Sequence, residues 1–122
     1  MKLDIAKLLL RLTVGVFMLV NHGIPKLSKI IMGNFEFGNP IGIGEAPSLF
    51  LAVFAEFFCS IFIIIGFKTK WATAPLAFTM FVAVFIVHLT DPFAKKELGF
   101  IYLVSYIIIY LIGPGKYSFD KK

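Results

Sequence analysis

The stretch that decides the fold is Pro47–Phe67, PSLFLAVFAEFFCSIFIIIGF, which is 21 residues long and almost wholly apolar. As a helix rising about 1.5 Å per residue it is roughly 30 Å long, the thickness of a bilayer's hydrocarbon core. Its one ionisable carboxylate, Glu56, costs at least ~2.5 kcal/mol near the middle of a bilayer unless it is neutral or partnered. Arg11 lies inside the first apolar stretch. We therefore expect an Arg11–Glu56 pair inside a membrane bundle.

The composition places the chain among membrane proteins. Its 122 residues predict one domain, and 59% hydrophobic with only 16% charged residues is far from a soluble globular domain. The net charge of +5 arises from basic residues in short runs between apolar segments, so membrane topology explains it and nucleic-acid binding is not expected. The single cysteine, Cys59, excludes an intrachain disulfide and a CxxC redox site, and we expect it to be structural.

The apolar segments predict an all-α integral membrane protein, a four-helix antiparallel bundle in one domain over residues 1–122. The expected spans are about residues 5–22, 47–67, 71–89 and 97–113. Gly23 and Pro25 are expected to end the first span, with a short interfacial helix near residues 26–32.

Basic residues predict how the bundle is oriented in the membrane. Seven of them flank the spans on the side of the termini and four lie in the opposite loops. The positive-inside rule then predicts that both termini are inside, in a plasma or inner membrane.

Polar and small residues lie on one face of each of the first two spans. These are Arg11, Gly15, Met18 and His22 in the first, and Ala52, Glu56, Cys59, Ser60 and Ile63 in the second. Small residues let membrane helices approach closely, so these faces should point into the bundle. Two interpretations of Arg11 and Glu56 stay open. In the first, the two residues form a structural ion pair that fixes helix register. In the second, they form a polar site for a proton or a ligand head group.

Further polar residues fall near the predicted outer ends of the spans: His22, His88, Asp91 and Glu97. Histidine and carboxylate can bind a metal or relay protons, but their spacing forms no recognised ligand motif, so we predict no metal site. The alternative is a set of polar side chains in the head-group zone. The sequence also lacks a phosphate loop, GxSxG and HExxH, which argues against a self-contained hydrolase, NTPase or zinc enzyme.

Three tyrosines form a stripe in the fourth span. Tyr102, Tyr106 and Tyr110 are spaced four residues apart, which puts their hydroxyls on one side of a helix. Such a stripe can line a pocket for a quinone or another flat ligand. It can equally be packing, with the hydroxyls bonded to neighbouring helices.

Several short stretches form an ordered series along the chain: Arg11–Gly15, His22–Leu27, Ala55–Glu56, Ile65–Lys70, His88, Glu97–Leu98, Tyr102–Leu103 and Gly113–Asp120. Taken together they resemble the DoxX family of small four-helix membrane proteins, over essentially the whole chain. By this resemblance, Arg11, Glu56, His88, Glu97 and the terminal GPGKYS segment occupy positions that recur in the family.

The resemblance implies several roles. Members of the family have been linked to quinone-coupled oxidation of sulfur compounds, as subunits of a thiosulfate:quinone oxidoreductase. Others belong to membrane complexes with detoxifying enzymes in oxidative stress, and distant relatives act as membrane assembly factors. This chain lacks the cysteine pairs of some redox-active relatives, which argues against direct thiol chemistry.

We therefore expect a membrane-embedded subunit of a redox system, with a quinone as the cofactor that the resemblance suggests. Binding to partner redox proteins and association into a homo-oligomer are both left open by the sequence. The candidate residues for a ligand or proton site are Arg11, Glu56, His88, Glu97, Tyr102 and Tyr106. The alternative is a non-catalytic membrane scaffold or assembly factor that anchors partner proteins.

Overall fold

The computed structural model describes residues 2–35, 42–87 and 90–120, and it leaves the side chains of residues 87 and 95 outside the description. Within these ranges the regular structure is helical throughout, with no strand. Four long helices make up the fold: α1 (residues 2–31), α2 (residues 45–65), α3 (residues 69–87) and α4 (Phe93–Ile112). The predicted all-α four-helix membrane bundle is confirmed.

Length and composition mark two of the described helices as candidate membrane spans. They are Glu45–Ile65 and Thr69–Ile86, both long and apolar enough to cross a bilayer. The outward faces of the bundle are rich in exposed phenylalanine, including Phe17, Phe50 and Phe54. A surface of this kind is stable against lipid, whereas a soluble monomer rarely exposes large contiguous apolar patches.

The first three helices each contain a π-helical turn. These turns are Leu19–Gly23 in α1, Phe54–Cys59 in α2 and Ala83–Val87 in α3. A π-helical turn carries i→i+5 hydrogen bonds, is rare, and occurs frequently at functional sites.

The prediction that Gly23 and Pro25 end the first helix is wrong, because α1 continues through both to Ile31. Proline has no N–H, and in a regular α-helix its ring clashes with the carbonyl four residues earlier. The π-helical turn just before Pro25 changes this local geometry. Its wider hydrogen bonding is seen where the Ile24 N–H donates to the carbonyl of Leu19, five residues back. The proline is thereby accommodated inside a continuous helix.

Gly23 is needed for close packing rather than for ending a helix. Its backbone is right-handed helical, and a Cβ at this position would overlap the backbone carbonyl oxygen of Glu56. The π-helical turns of α1 and α2 therefore touch through their backbones at this point. Because α1 continues, Lys26 lies one turn beyond His22 on the same helix.

The predicted inward face of α2 is confirmed, and that of α1 is confirmed for three of its four residues, since His22 is only partly buried. Arg11, Gly15 and Met18 are buried in α1. The small and polar stripe of α2 is buried throughout: Ala52, Glu56, Cys59, Ser60 and Ile63. The two helices pack closely, since a Cβ on Gly15 would lie 2.6 Å from Cγ1 of Ile64.

The bundle has two distinct ends. The terminal end carries the start of α1, the end of α4 with the segment 113–120, and the turn between α2 and α3. There the Lys116 N–H donates to Oδ1 of Asp4 at 3.2 Å. The far end carries the last turns of α1, the start of α2, the end of α3 and the start of α4.

Candidate functional site

Arg11 belongs to the terminal end of the bundle. Its side chain is fully buried, and Nη1 donates to the carbonyls of Ile63 and Ile64 at 3.0 Å each. Nη2 donates to the carbonyl of Tyr117. The last carbonyls of a helix have no partner inside it, so a guanidinium at that end satisfies them and complements the helix dipole.

The expected Arg11–Glu56 pair is therefore wrong. The α2 carbonyls that Arg11 binds belong to Ile63 and Ile64, which follow Glu56 by seven and eight residues. That separation is about 10 Å along a helix, or two turns, so the two charges lie at different depths. The long arginine side chain instead donates hydrogen bonds to backbone carbonyls at its own depth in the bundle.

Helix α2 ends in a tight turn close to Arg11. Gly66 adopts φ +72°, a left-handed conformation that glycine tolerates without strain. The Phe67 N–H donates to the carbonyl of Phe62 at 2.9 Å, and the two rings pack edge to face with centroids 5.9 Å apart. These features form a Schellman motif with its usual hydrophobic contact, which fixes the direction of the chain leaving α2.

The C-terminal segment is fastened to this turn. The Asp120 N–H donates to the carbonyl of Gly66 at 2.9 Å. The Asp120 carboxylate accepts hydrogen bonds from the N–H groups of Lys68 and Thr69, at 2.9 and 2.8 Å, and so caps the start of α3 from outside that helix. We call Arg11, Tyr117, Asp120 and the α2–α3 turn the Arg11 cluster. In each of these hydrogen bonds the donor or the acceptor is a backbone group.

Glu56 lies at a second centre, towards the far end. It sits in the π-helical turn of α2 and is only 1% exposed. Lys26 Nζ lies 2.6 Å from Oε1 and 2.8 Å from Oε2 of Glu56, so both carboxylate oxygens accept from one ammonium group. His22 Nδ1 lies 3.9 Å from Oε1. The attraction between the ammonium and carboxylate groups offsets the free-energy cost of removing each of them from water.

A cavity of about 230 Å³ opens beside this ion pair, and we call it the Glu56 pocket. Its polar wall consists of His22, Lys26, Glu56, Lys96 and Tyr102, and its apolar wall of Met80, Ala83, Val84, Leu98 and Gly99. Each of the three π-helical turns contributes to it: His22 from α1, Glu56 from α2, and Ala83 and Val84 from α3. The π-helical turns of three helices thus all line the same pocket.

The tyrosine stripe divides between the two ends. Tyr102 lines the pocket, packs edge to face against His22 with ring centroids 6.1 Å apart, and stacks on Tyr106 at 6.1 Å. Tyr110 is exposed, with Lys70 Nζ 5.7 Å from its ring centroid. A spacing of four residues drifts by about 40° per step around a helix of 3.6 residues per turn, so the buried face continues at Ile109 instead.

The remaining candidates fall elsewhere. Glu97 is exposed and is not part of the pocket wall, whereas its neighbour Lys96 is. The prediction for His88 lies outside the described residues. In the parts of the chain that the structure covers, no group of three or more His, Cys, Asp or Glu side chains is arranged to hold a metal ion. Cys59 is buried in the apolar core.

Sequence reasoning missed two cations of the polar wall, Lys26 and Lys96, and Lys26 is the partner of Glu56. A break at Gly23 and Pro25, followed by a separate interfacial helix, would leave Lys26 with no expected relation to Glu56. The available signal was its spacing of four residues from His22, which puts both side chains on one face if the helix continues.

We expect Gly23→Ala to lower the free energy of unfolding by about 2 kcal/mol, because the added methyl group overlaps backbone that cannot easily move. The matched control is Gly99→Ala, whose Cβ meets only Cγ2 of the Val84 side chain, at 2.7 Å. SDS titration followed by circular dichroism measures both. Equal stability losses in the two variants would show that the close approach at Gly23 is not a packing constraint.

The family model described as DoxX matches residues 6–89 of the chain. The match spans more than half of the sequence and includes three residues of the Glu56 pocket, His22, Lys26 and Glu56. Comparisons with curated proteins and with solved structures give no significant match. On the extent of the family match, the chain belongs to the DoxX family.

Proposed function

We propose that the protein is a membrane-embedded subunit of a redox system and that the Glu56 pocket binds the head group of a membrane quinone. The observation that carries this proposal is a buried carboxylate, ion-paired with Lys26, in a pocket where three π-helical turns meet. Ionisable groups inside membrane segments commonly mark ligand or proton sites, and π-helical turns are frequent at functional sites.

The residues of the pocket fit a quinone head group. Its carbonyl oxygens accept hydrogen bonds, and Lys26, Lys96 and Tyr102 present donor groups to the cavity. Met80 and Val84 provide apolar surface for the ring. About 230 Å³ accommodates a head group, while a long isoprenoid tail would lie among the lipids.

A bound quinone supplies two-electron redox chemistry, with the electrons exchanged with a partner redox protein. The chain's own contribution is positioning and proton exchange. Lys26 and Tyr102 orient the head group, and Glu56, once Lys26 has turned to the head group, takes up or gives off a proton at its carboxylate.

The proposed orientation has both termini inside and the pocket towards the outer leaflet. Lys68 and Lys70 lie at the terminal end, where Trp71 is 81% exposed as an interfacial anchor would be. Modification of single introduced cysteines at residues 2 and 29 in intact cells, with a membrane-impermeant thiol reagent, tests this. Labelling at residue 29 and not at residue 2 supports the orientation.

Titration of the purified protein with a short-chain benzoquinone tests the function. We expect one molecule to bind per chain, and Glu56→Gln to weaken binding by about tenfold or more because it removes the charge that holds Lys26 in place. Tyr110→Phe is the matched control, since Tyr110 is exposed and does not line the pocket. Binding that is the same in wild type and Glu56→Gln would contradict the proposed site.

The alternative function is a non-catalytic scaffold, and one observation favours it. Both oxygens of Glu56 already accept from Lys26, as in an ion pair that only fixes the register of two helices. Affinity purification of wild type and of a Lys26→Met/Glu56→Gln variant separates the two functions. Recovery of the same partner by both, with no quinone bound to either, would establish the scaffold.

A further inference from the structure

Two buried hydroxyl groups lie deeper in the bundle than the Glu56 pocket. Ser60 and Tyr106 are both fully buried. Neither Ser60 Oγ nor the Tyr106 hydroxyl has a hydrogen-bond partner among the residues that the structure describes. Unsatisfied polar atoms in a low-dielectric interior are costly, and bound water is their usual partner.

The register of two helices puts these two residues at about one level. Ser60 follows Glu56 by four residues on the same buried stripe of α2, about 6 Å towards the terminal end. Tyr106 follows Tyr102, whose ring lines the pocket, by the same four residues in α4, which also runs towards the terminal end. The backbone positions of Ser60 and Tyr106 therefore lie about one helical turn from those of Glu56 and Tyr102, towards the terminal end.

The Arg11 cluster lies beyond Ser60, further towards the terminal end. The carbonyls of Ile63 and Ile64, which accept from Arg11, follow Ser60 by three and four residues. Arg11 Nε is also buried and lacks a partner within the described parts of the chain. Beyond it Asp120 reaches the partly exposed surface of the terminal end. Polar groups thus occur at each turn between the pocket and the terminal end.

We propose that Ser60 and Tyr106 hold water beneath the pocket and that, whenever Lys26 moves away from Glu56, this water carries protons between Glu56 and the terminal end of the bundle. Only O–H bonds form and break along this path. A proton binds the Glu56 carboxylate, leaves it for the adjacent water, and is released near Asp120, and no electron moves with it. The proposal does not depend on whether the pocket binds a quinone.

Lys26 closes the path at the pocket. While it is bonded to both oxygens of Glu56, the ammonium group of Lys26 occupies the positions where a proton would bind. The other titratable groups that line the pocket around Glu56 are His22, Lys96 and Tyr102. Replacing Lys26 with a neutral residue leaves Glu56 free to take up and release protons.

Proton flux into liposomes that contain a pH-sensitive dye tests the path. A potassium gradient with valinomycin drives the flux, and wild type is compared with Lys26→Gln. We expect wild-type vesicles to resemble empty ones, and Lys26→Gln to admit protons at least about tenfold faster. Adding Tyr106→Phe or Ser60→Ala to Lys26→Gln should return the rate to that of wild type. Each of these removes a single oxygen atom.

The matched control is Lys26→Gln with Ser105→Ala, which removes a buried hydroxyl from the residue next to Tyr106 and should leave the flux unchanged. Elution as a single species and an unchanged helical spectrum establish folding, and Lys26→Met replaces Lys26→Gln if the latter does not fold. The proposal is overturned if neither Lys26 variant admits protons faster than wild type. It is also overturned if the flux persists after Tyr106→Phe and Ser60→Ala, as a leak through a loosened bundle would.

Discussion

Arg11→Ala is expected to lower the free energy of unfolding by about 3 kcal/mol or more. The substitution removes the donors to the carbonyls of Ile63, Ile64 and Tyr117 and leaves those oxygens without their charged partner in a buried region. SDS titration followed by circular dichroism measures the loss. Limited proteolysis should show in addition that the C-terminal segment is cut sooner, because Arg11 binds it directly.

Two further variants separate this role from a general effect of charge. Arg11→Lys keeps the charge but loses the planar fork that reaches several carbonyls, so its stability should fall between wild type and alanine. Lys2→Ala removes an exposed cation from the same helix and should change stability by no more than ~0.5 kcal/mol. If Arg11→Ala is no worse than Lys2→Ala, the Arg11 cluster does not hold the terminal end together.

Lys26→Met is expected to destabilise the protein by about 3 kcal/mol, and Glu56→Gln in the same chain should restore most of the loss. The single variant leaves a buried carboxylate without its partner, whereas the double variant buries two neutral side chains. Glu56→Gln alone should cost less, because Lys26 is 25% exposed and its long side chain can reach water at the far end.

The corresponding cycle with Arg11 is the matched comparison. Arg11→Met and Glu56→Gln should have additive effects to within ~0.5 kcal/mol, because their side chains bond to different groups that lie about two turns apart. Coupling between Lys26 and Glu56 should instead reach about 2 kcal/mol. Strong coupling of Glu56 to Arg11, and none to Lys26, would contradict the pairing that the structure shows.

The sequence predicted which faces of the helices are buried. A helical period places Arg11, Gly15 and Met18 on one side of α1, and the small and polar stripe of α2 on another, and these residues are buried. The apolar lengths also predicted four helices. Both signals are local, since each depends on residues a few positions apart in one segment.

The partner of Glu56 could not be predicted in the same way. It depends on the π-helical turn Leu19–Gly23, which lets α1 pass through Pro25 and brings Lys26 onto the pocket side. A helical period of 3.6 residues contains no information about such a turn. The level at which Arg11 bonds could not be predicted either. Its partners are backbone carbonyls, and a pattern of side chains in the sequence does not identify them.

The structure thus separates two polar centres that the sequence suggested were one. The Arg11 cluster holds the end of α2, the start of α3 and the C-terminal segment in place. The Glu56 pocket is lined by donors, a carboxylate and apolar surface, and has room for a ligand. In this account, substitutions at the first centre change stability without changing ligand binding, whereas substitutions at the second change both.

The most direct measurement is native mass spectrometry of the protein extracted gently from its own membrane, for wild type and for Glu56→Gln. The account predicts that wild type carries one molecule with the mass of a membrane quinone and that most of it is lost in Glu56→Gln. A control with Tyr110→Phe should retain the ligand. Wild-type protein that carries no such molecule, or one that Glu56→Gln retains in full, would contradict a quinone site at the Glu56 pocket.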